Sequence, residues 1–138
     1  MLRIDDRSAV TGTTLRRARR SDVVAATLQA CHERGLVDAV SWVVMPDHVH
    51  WMFALRQSQL SDIAREFKSR SARDVNRVLG RTGPVWQAGF YDHRLRGDDD
   101  LREQARYVVI NPVRAGLVDS LRHYPHWWCR YVRADRDL

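Results

Sequence analysis

The feature that most constrains the fold is a pair of β-type segments on either side of Pro46-Asp47. Residues 36–45 are rich in valine and include Trp42, a composition that favours a strand. Residues 48–55 alternate apolar side chains with others, which is the period of two expected of a strand with one buried face. Because Pro46-Asp47 is typical of a tight turn, we expect the two strands to pair antiparallel as a hairpin.

Two histidines, His48 and His50, stand in the second strand of this hairpin. Because side chains alternate along a strand, both histidines point to one face, while Val49, Trp51 and Phe53 point to the other. The apolar face suits a core. Two imidazoles side by side on a rigid strand can bind one divalent metal ion, although an isolated pair more often serves local hydrogen bonds. The pair alone leaves both interpretations open.

The rest of the chain predicts one α+β domain spanning residues 1–138, in which 44% of the residues are apolar and can form a core. Residues 8–15 are β-prone and predict an edge strand, and Ser21-Asp22 predicts the start of a helix that ends near Gly35. Further helices are predicted at residues 60–79 and from residue 98 to Asn111, with a strand at residues 90–96 between them. This order predicts a few-stranded antiparallel sheet with helices on one side.

The charge balance favours an anionic partner. The chain has 23 basic and 17 acidic residues, a formal net charge of +6, and Lys68 is its only lysine. Arginine binds phosphate well because its planar fork matches two oxygens at once. A polyanion such as a nucleic acid is therefore a plausible partner, and an arginine-favouring genome is the alternative explanation.

Basic residues and aromatic rings are the candidates for DNA contacts, the rings through stacking on bases. These candidates are Arg16, Arg17, Arg65, Lys68, Arg73, Trp86, Arg94 and Arg96. Phe90 and Tyr91 could also stack on bases. A charged helix face is most often only solvated, and an aromatic ring is at least as often a core residue, so each candidate has a structural alternative.

Cysteine use and hydropathy predict a cytoplasmic protein. Cys31 and Cys129 are isolated, so a structural zinc site is not expected, and two free thiols suit a reducing compartment. No stretch is as long and apolar as a membrane span, and the N-terminus is too charged for a signal peptide. We expect a soluble protein with no membrane partner.

Tyr107 stands out on the last predicted helix. It lies away from the apolar stripe and shares a face with Asp100, Glu103 and Gln104, which predicts a polar environment. Asn111 follows Tyr107 by four residues and has two possible roles. It could cap a short helix beginning at Pro112, which spacing alone favours, or place its amide oxygen near a metal ion.

Three ordered motifs carry a resemblance to a known family. They are Met45-Pro46-Asp47-His48-Val49-His50, then Val85-Trp86-Gln87 leading to Phe90-Tyr91-Asp92-His93, and finally residues 107–118, which begin with Tyr107 and include Asn111-Pro112. Together they resemble the REP-associated tyrosine transposases, bacterial relatives of the IS200/IS605 transposases within the HUH nuclease superfamily. The resemblance extends over about residues 21–131.

The resemblance implies a ferredoxin-like antiparallel sheet with the histidine pair on a central strand. It also implies that His48, His50 and Asn111 bind Mg²⁺ or Mn²⁺, and that Tyr107 is the nucleophile. Members of the family open with an apolar strand that joins the centre of the sheet, whereas residues 1–14 here are polar. Either this strand is poorly marked in the sequence or the N-terminus is shortened.

The functional hypothesis is a metal-dependent single-stranded DNA endonuclease and strand transferase that acts on REP-type hairpins. Attack by the tyrosine would give a 5′-phosphotyrosine and a free 3′-OH. The protein would act as a monomer or as a homodimer. One alternative is a non-catalytic protein that binds structured nucleic acid, and another is a metal-dependent hydrolase that uses water as the nucleophile.

Overall fold

Over residues 2–7, 14–95 and 100–138, which the computed structural model describes, five strands form one antiparallel sheet. Only the backbone is described at residues 2–7, 14 and 134–135. The strands are β1 (Leu2–Arg7), β2 (Val37–Val44), β3 (His48–Leu55), β4 (Tyr91–Arg94) and β5 (Trp127–Cys129), in the order β4-β1-β3-β2-β5. The helices are α1 (Thr14–Glu33), α2 (Leu60–Leu79), α3 (Leu101–Val109), α4 (Asn111–Arg114) and α5 (Ala134–Asp137), with a 3-10 helix at Leu121–His123.

The predicted hairpin is confirmed and forms the middle of the sheet. Strands β2 and β3 pair antiparallel, with Val43 opposite His50. The backbone N–H of Met45 donates to the carbonyl of His48 at 2.7 Å and closes the turn. Strand β3 is the third of five, so the histidine pair lies on the central strand, as the resemblance implies.

The N-terminal strand lies at a different position from the one predicted. Strand β1 runs over Leu2–Arg7 and lies between β3 and β4 inside the sheet. The prediction of an edge strand at residues 8–15 is wrong at its end, because Leu15 belongs to α1. The rest of that prediction, residues 8–13, lies outside the described residues. Backbone pairing with two neighbouring strands holds β1, although only Leu2 and Ile4 of its sequence alternate as apolar residues.

Helix α1 begins at Thr14, so the predicted cap at Ser21-Asp22 is wrong. Ser21 and Arg20 lie inside the helix and are buried. Ser-Asp pairs favour helix starts because their side chains accept backbone N–H groups, but here Arg19 and Arg20 of the preceding turn bond the carbonyls of Val78, Met45 and Pro46 and so belong to the helix.

One face of the sheet carries α1 and α2. Val49, Trp51 and Phe53 of β3 pack there with Leu28 of α1 and Phe67 of α2. The elements β1 to β4, with α1 and α2 on one face, form the ferredoxin-like arrangement, which confirms the predicted α+β class. The bounds predicted for α2 match those observed.

The opposite face carries α3. Val43 and Met52 of the sheet pack there with Ala105 and Val108 of the helix. The prediction of helices on one side therefore holds for α1 and α2 but not for α3. The side chain of Asp100 accepts the N–H groups of residues 102 and 103 and starts this helix. None of the helices in the described part of the chain is long and apolar enough to cross a bilayer.

Candidate active site

The two histidines of β3 converge on one point. The Nε2 atoms of His48 and His50 lie 3.0 Å apart, and their rings are perpendicular with centroids 4.7 Å apart. Both side chains alternate with Val49 and Trp51, so they lie on the face that also carries α3. A rigid strand with a fully buried opposite face holds the two rings in this position.

Asp47 orients the first of these rings. Its Oδ1 lies 2.6 Å from Nδ1 of His48, which favours the tautomer with the proton on Nδ1 donating to the carboxylate. The lone pair of Nε2 then accepts a hydrogen bond from Nε2–H of His50, 3.0 Å away, and a metal ion bound by both rings would take the place of that proton. Pairing of a carboxylate with the outer nitrogen of a histidine is common in metal sites because it fixes the ring and raises its basicity.

Arg20 of α1 supports the turn that precedes the histidines. Its Nη2 donates to the carbonyls of Met45 and Pro46 at 2.7 and 2.8 Å and to Oγ of Ser21 at 3.1 Å. Burial lowers the pKa of Arg20 to about 10, and the nearby carboxylate of Asp47 opposes that shift, so the guanidinium stays charged at neutral pH.

Sequence reasoning missed the role of Arg20, although a signal was present. Residues 20, 24, 28 and 31 follow the spacing of one helix face, and the last three are buried apolar residues. Once α1 is extended to Thr14, this spacing places Arg20 on the apolar face. An arginine on such a face needs buried acceptors, and the two turn carbonyls supply them for Nη2, while Nε and Nη1 are buried without a partner among the described residues.

Tyr107 lies on α3 with 46% of its surface exposed, which confirms that it is outside the packed core. The guanidinium of Arg114 lies over its ring, 4.3 Å from the centroid. A cation in this position holds the ring by a cation–π contact.

The position of α3 indicates which way Tyr107 faces. The helix packs on β2 and also contacts β3 and β5. Arg106, Val109 and Ile110 line a cleft with residues of the C-terminal segment, which follows β5. By helical spacing Tyr107 lies away from the cleft and from the buried stripe of Ala105, Val108 and Val109, and Asn111 follows it at the start of α4.

Asn111 does not cap α4, so the preferred prediction from spacing is wrong. It is the first residue of α4, and its Nδ2 donates back to the carbonyls of Val108 at 2.7 Å and Tyr107 at 3.4 Å. Helix α4 follows α3 almost without a break, so the amide satisfies carbonyls at the end of α3 instead. Within the described residues the amide oxygen accepts no hydrogen bond.

The donor set fits a divalent cation. Two adjacent ligands of an octahedral ion at about 2.1 Å are separated by about 3.0 Å, close to the separation of the two Nε2 atoms. No cluster of three or more His, Cys, Asp and Glu that could hold a metal occurs in the described part of the chain. A third protein ligand from this part would therefore be of another type, and the amide oxygen of Asn111 is suitable.

The predicted DNA contacts on the helices lie on the other side of the sheet. Arg16 and Arg17 are on α1, and Arg65 and Arg73 are on α2, both of which pack on the face opposite the histidines. Lys68 donates to the carbonyls of Gln87 and Gly89 at 3.1 and 2.6 Å and so holds the loop before β4. Arg65 and Arg73 thus lie on an element that packs away from the histidine pair. By contrast, Arg17 lies one turn before Arg20, whose guanidinium reaches the turn that precedes His48.

The remaining predicted contacts divide into three cases. Trp86 is only 8% exposed, its Nε1 donates to Oγ of Ser71 at 2.9 Å, and its ring packs on Phe67. The core alternative is therefore correct, and the prediction that Trp86 stacks on DNA is wrong. Arg94 is exposed on β4, whereas Arg96 lies outside the described residues.

Comparison with known proteins identifies similar families and folds. Residues 9–109 match the family model described as "Transposase IS200 like". A REP-associated tyrosine transposase of Escherichia coli is 31% identical over 87 residues, which are 62% of this chain and 50% of that protein. A curated relative from Haemophilus influenzae is 26% identical over 113 residues, which are 74% of this chain and 64% of the relative. The chain thus spans between half and two thirds of the length of these curated relatives.

A solved structure shares the fold. The structure of a REP-associated tyrosine transposase bound to a REP hairpin superposes with a TM-score of 0.72 and 22% identity. The match covers 91% of this chain and 74% of the other. These comparisons confirm the resemblance seen in the three sequence motifs.

Proposed function

Because the chain belongs to the family of IS200-like transposases, we propose that it is a metal-dependent single-stranded DNA endonuclease and strand transferase. One observation carries the proposal. The Nε2 atoms of His48 and His50 converge to 3.0 Å on the sheet face covered by the helix that bears Tyr107. A pair of nitrogen donors on this face, together with a half-exposed phenol on the helix that covers it, supplies the groups that phosphodiester chemistry needs.

His48, His50 and Asn111 would hold the cation, Mg²⁺ or Mn²⁺. When bound, the cation neutralises negative charge on the phosphate oxygens and makes the phosphorus more electrophilic. The contribution of the chain is to fix the ligands. Asp47 holds the ring of His48, and Arg20 holds the turn from which β3 begins.

Tyr107 is the nucleophile in this proposal. Its Oη attacks the phosphorus, an O–P bond forms, and the bond from phosphorus to the 3′ oxygen breaks. The phenol loses its proton, and the departing 3′ oxygen gains one. The products are a 5′-phosphotyrosine and a free 3′-OH, so no phosphodiester energy is lost to water. Attack by the 3′-OH of a second strand reverses the step, restores the tyrosine and joins the strands.

The proposed substrate is single-stranded DNA next to a REP-type hairpin. The solved neighbour is bound to such a hairpin, and the relative from Escherichia coli carries the same family name. The net charge of +6 and the exposed arginines suit binding to a polyanion. Since the chain spans only part of these relatives, the hairpin preference is part of the proposal.

The test is formation of a covalent protein–DNA adduct. The protein is incubated with Mn²⁺ and a REP hairpin that carries an unpaired extension, and the products are separated under denaturing conditions. We expect an adduct with the wild type and with Tyr131→Phe, a control at a tyrosine that packs against Arg102, and none with Tyr107→Phe. If Tyr107→Phe forms as much adduct as the wild type, the nucleophile assignment fails.

Two other results would select the alternatives. Cleavage without an adduct that persists in Tyr107→Phe would indicate a hydrolase that uses water. Hairpin binding without cleavage, in either Mg²⁺ or Mn²⁺, would indicate a non-catalytic binding protein. The polar N-terminus favours that second alternative, but β1 is in place between β3 and β4.

A further inference from the structure

Strand β4 exposes an aromatic side chain. Tyr91 is 80% exposed, and Asp92, His93 and Arg94 are exposed as well. Strand β4 is one edge of the sheet, paired with β1. A large aromatic ring left in water on an edge strand gains nothing from the core and is a candidate for contact with a ligand.

The strand register relates Tyr91 to the histidine pair. Asp5 of β1 is paired with His50 on one side and with Tyr91 on the other. Side chains of directly opposed residues lie on the same face, so Tyr91 is on the face of His48 and His50. Two strand spacings separate Tyr91 from His50, which is about 10 Å.

The covered part of this face lies on the other side of the histidines. Helix α3 makes its main contacts with β2, β5 and β3, whereas the residues of β4 are exposed. On this face the sheet continues from the histidine pair through β1 to β4, whose Tyr91 is exposed. A strand of DNA held at the histidines can extend along this direction and reach Tyr91.

We propose that Tyr91 is a stacking platform for an unpaired nucleobase near the scissile phosphate. The proposal rests on the proposed function, which places that phosphate at His48 and His50. A distance of about 10 Å corresponds to about three stacked nucleotides at a rise of about 3.4 Å. Aromatic side chains bind single strands in this way because every base presents a π face.

Charge favours DNA over another protein as the occupant. The chain carries a net charge of +6, and Arg94 follows on the same short strand. By alternation Arg94 lies on the opposite face from Tyr91, so it can contact the backbone as DNA passes the sheet edge. A second copy of the chain, added along the exposed edge, is the competing occupant.

The experiment measures DNA binding by fluorescence anisotropy over a range of salt concentrations. One probe is a REP hairpin with an unpaired extension, and the other is the same hairpin without it. For the extended probe we expect Tyr91→Ser to weaken binding about 10-fold or more and Tyr91→Phe to bind like the wild type. The slope of the logarithm of the binding constant against the logarithm of the salt concentration should stay unchanged in Tyr91→Ser. In Arg94→Gln its magnitude should decrease by about one, because one phosphate contact is lost.

The proposal is overturned if Tyr91→Ser binds the extended probe as tightly as the wild type, or loses equal affinity for both probes. It is also overturned if Tyr91→Ser converts a dimer to a monomer in light scattering, since a second copy would then cover the ring. The proposed reaction is tested separately. No adduct in the wild type, with Tyr91-dependent binding intact, rejects only the reaction, whereas an adduct with no dependence on Tyr91 rejects only the stacking platform.

Discussion

The two faces of β3 differ in what covers them. On one face, Val49, Trp51 and Phe53 are completely or almost completely buried beneath α1 and α2. On the other face, Met52 packs with α3, but His48 and His50 are only partly buried. One strand therefore combines a closed apolar surface with a polar surface that solvent reaches.

This difference shows how a small domain can hold reactive groups rigidly. Two imidazoles converge to 3.0 Å only if their backbone cannot shift, and the packed core behind them prevents such shifts. The other face can then carry the partly exposed histidines, because the buried residues on the α1–α2 side hold the strand from behind.

The largest difference in stability is expected between substitutions at two adjacent residues of β3 whose side chains lie on opposite faces. Trp51→Ala should lower the free energy of unfolding by about 3–5 kcal/mol, because it leaves a cavity in the core. His50→Ala, one residue away on the other face, should cost less than about 1 kcal/mol. Urea unfolding of both variants measures the two losses in the free energy of unfolding. Similar losses for the two variants would contradict the division between the faces.

The hairpin and α2 could be predicted because their residues follow a clear period and have strong boundary signals. Strand β1 could not be located, since its apolar alternation is limited to Leu2 and Ile4 before Asp5-Asp6-Arg7 and its position depends on pairing with β3 and β4. The histidine pair was evident from spacing. The roles of Arg20 and Asp47 were not, because they depend on which residues meet the turn between β2 and β3.

The second-largest effect is expected at Arg20, which links helix α1 to the turn before the histidines. Arg20→Met should lower the free energy of unfolding by about 1–3 kcal/mol, because two buried carbonyls lose their donor while a buried charge is removed. Arg130→Met is the matched control, since Arg130 bonds Asp38 and the carbonyl of Ala39 on the partly exposed end of β2. We expect the control to cost less than about 1 kcal/mol by thermal unfolding. An equal loss in both would contradict a special role for the turn.

A smaller effect is expected at Asp47, on the polar face. Asp47→Ala should weaken Mn²⁺ binding about tenfold, which is about 1.4 kcal/mol, with little change in stability. Asp47→Asn retains an acceptor for Nδ1 of His48 and should bind more tightly than Asp47→Ala. Calorimetric titration of the metal measures both affinities. Unchanged affinity in Asp47→Ala would show that the carboxylate does not orient the ring.

The smallest effect comes from a histidine outside the candidate site. Burial lowers the pKa of His126, an effect that Arg20 adds to and the carboxylate of Asp22, 3.3 Å away, opposes. Since the folded pKa lies below the unfolded value of about 6.5, this contribution to stability is present above that pH and is lost as the pH falls through the folded pKa. Thermal unfolding between pH 8 and pH 5 should show a smaller loss in His126→Gln than in the wild type. An identical pH dependence would exclude His126 as its source.

The most direct measurement is peptide mapping of the covalent DNA adduct by mass spectrometry. The chain has four tyrosines, and Tyr91 and Tyr107 are the strongly exposed ones among the described residues. We expect the 5′-phosphate of the cleaved DNA on the peptide that contains Tyr107, and no modification of the peptide that contains Tyr91. An adduct on Tyr91, or cleaved DNA with no modified tyrosine, would contradict the proposal that Tyr107 is the nucleophile.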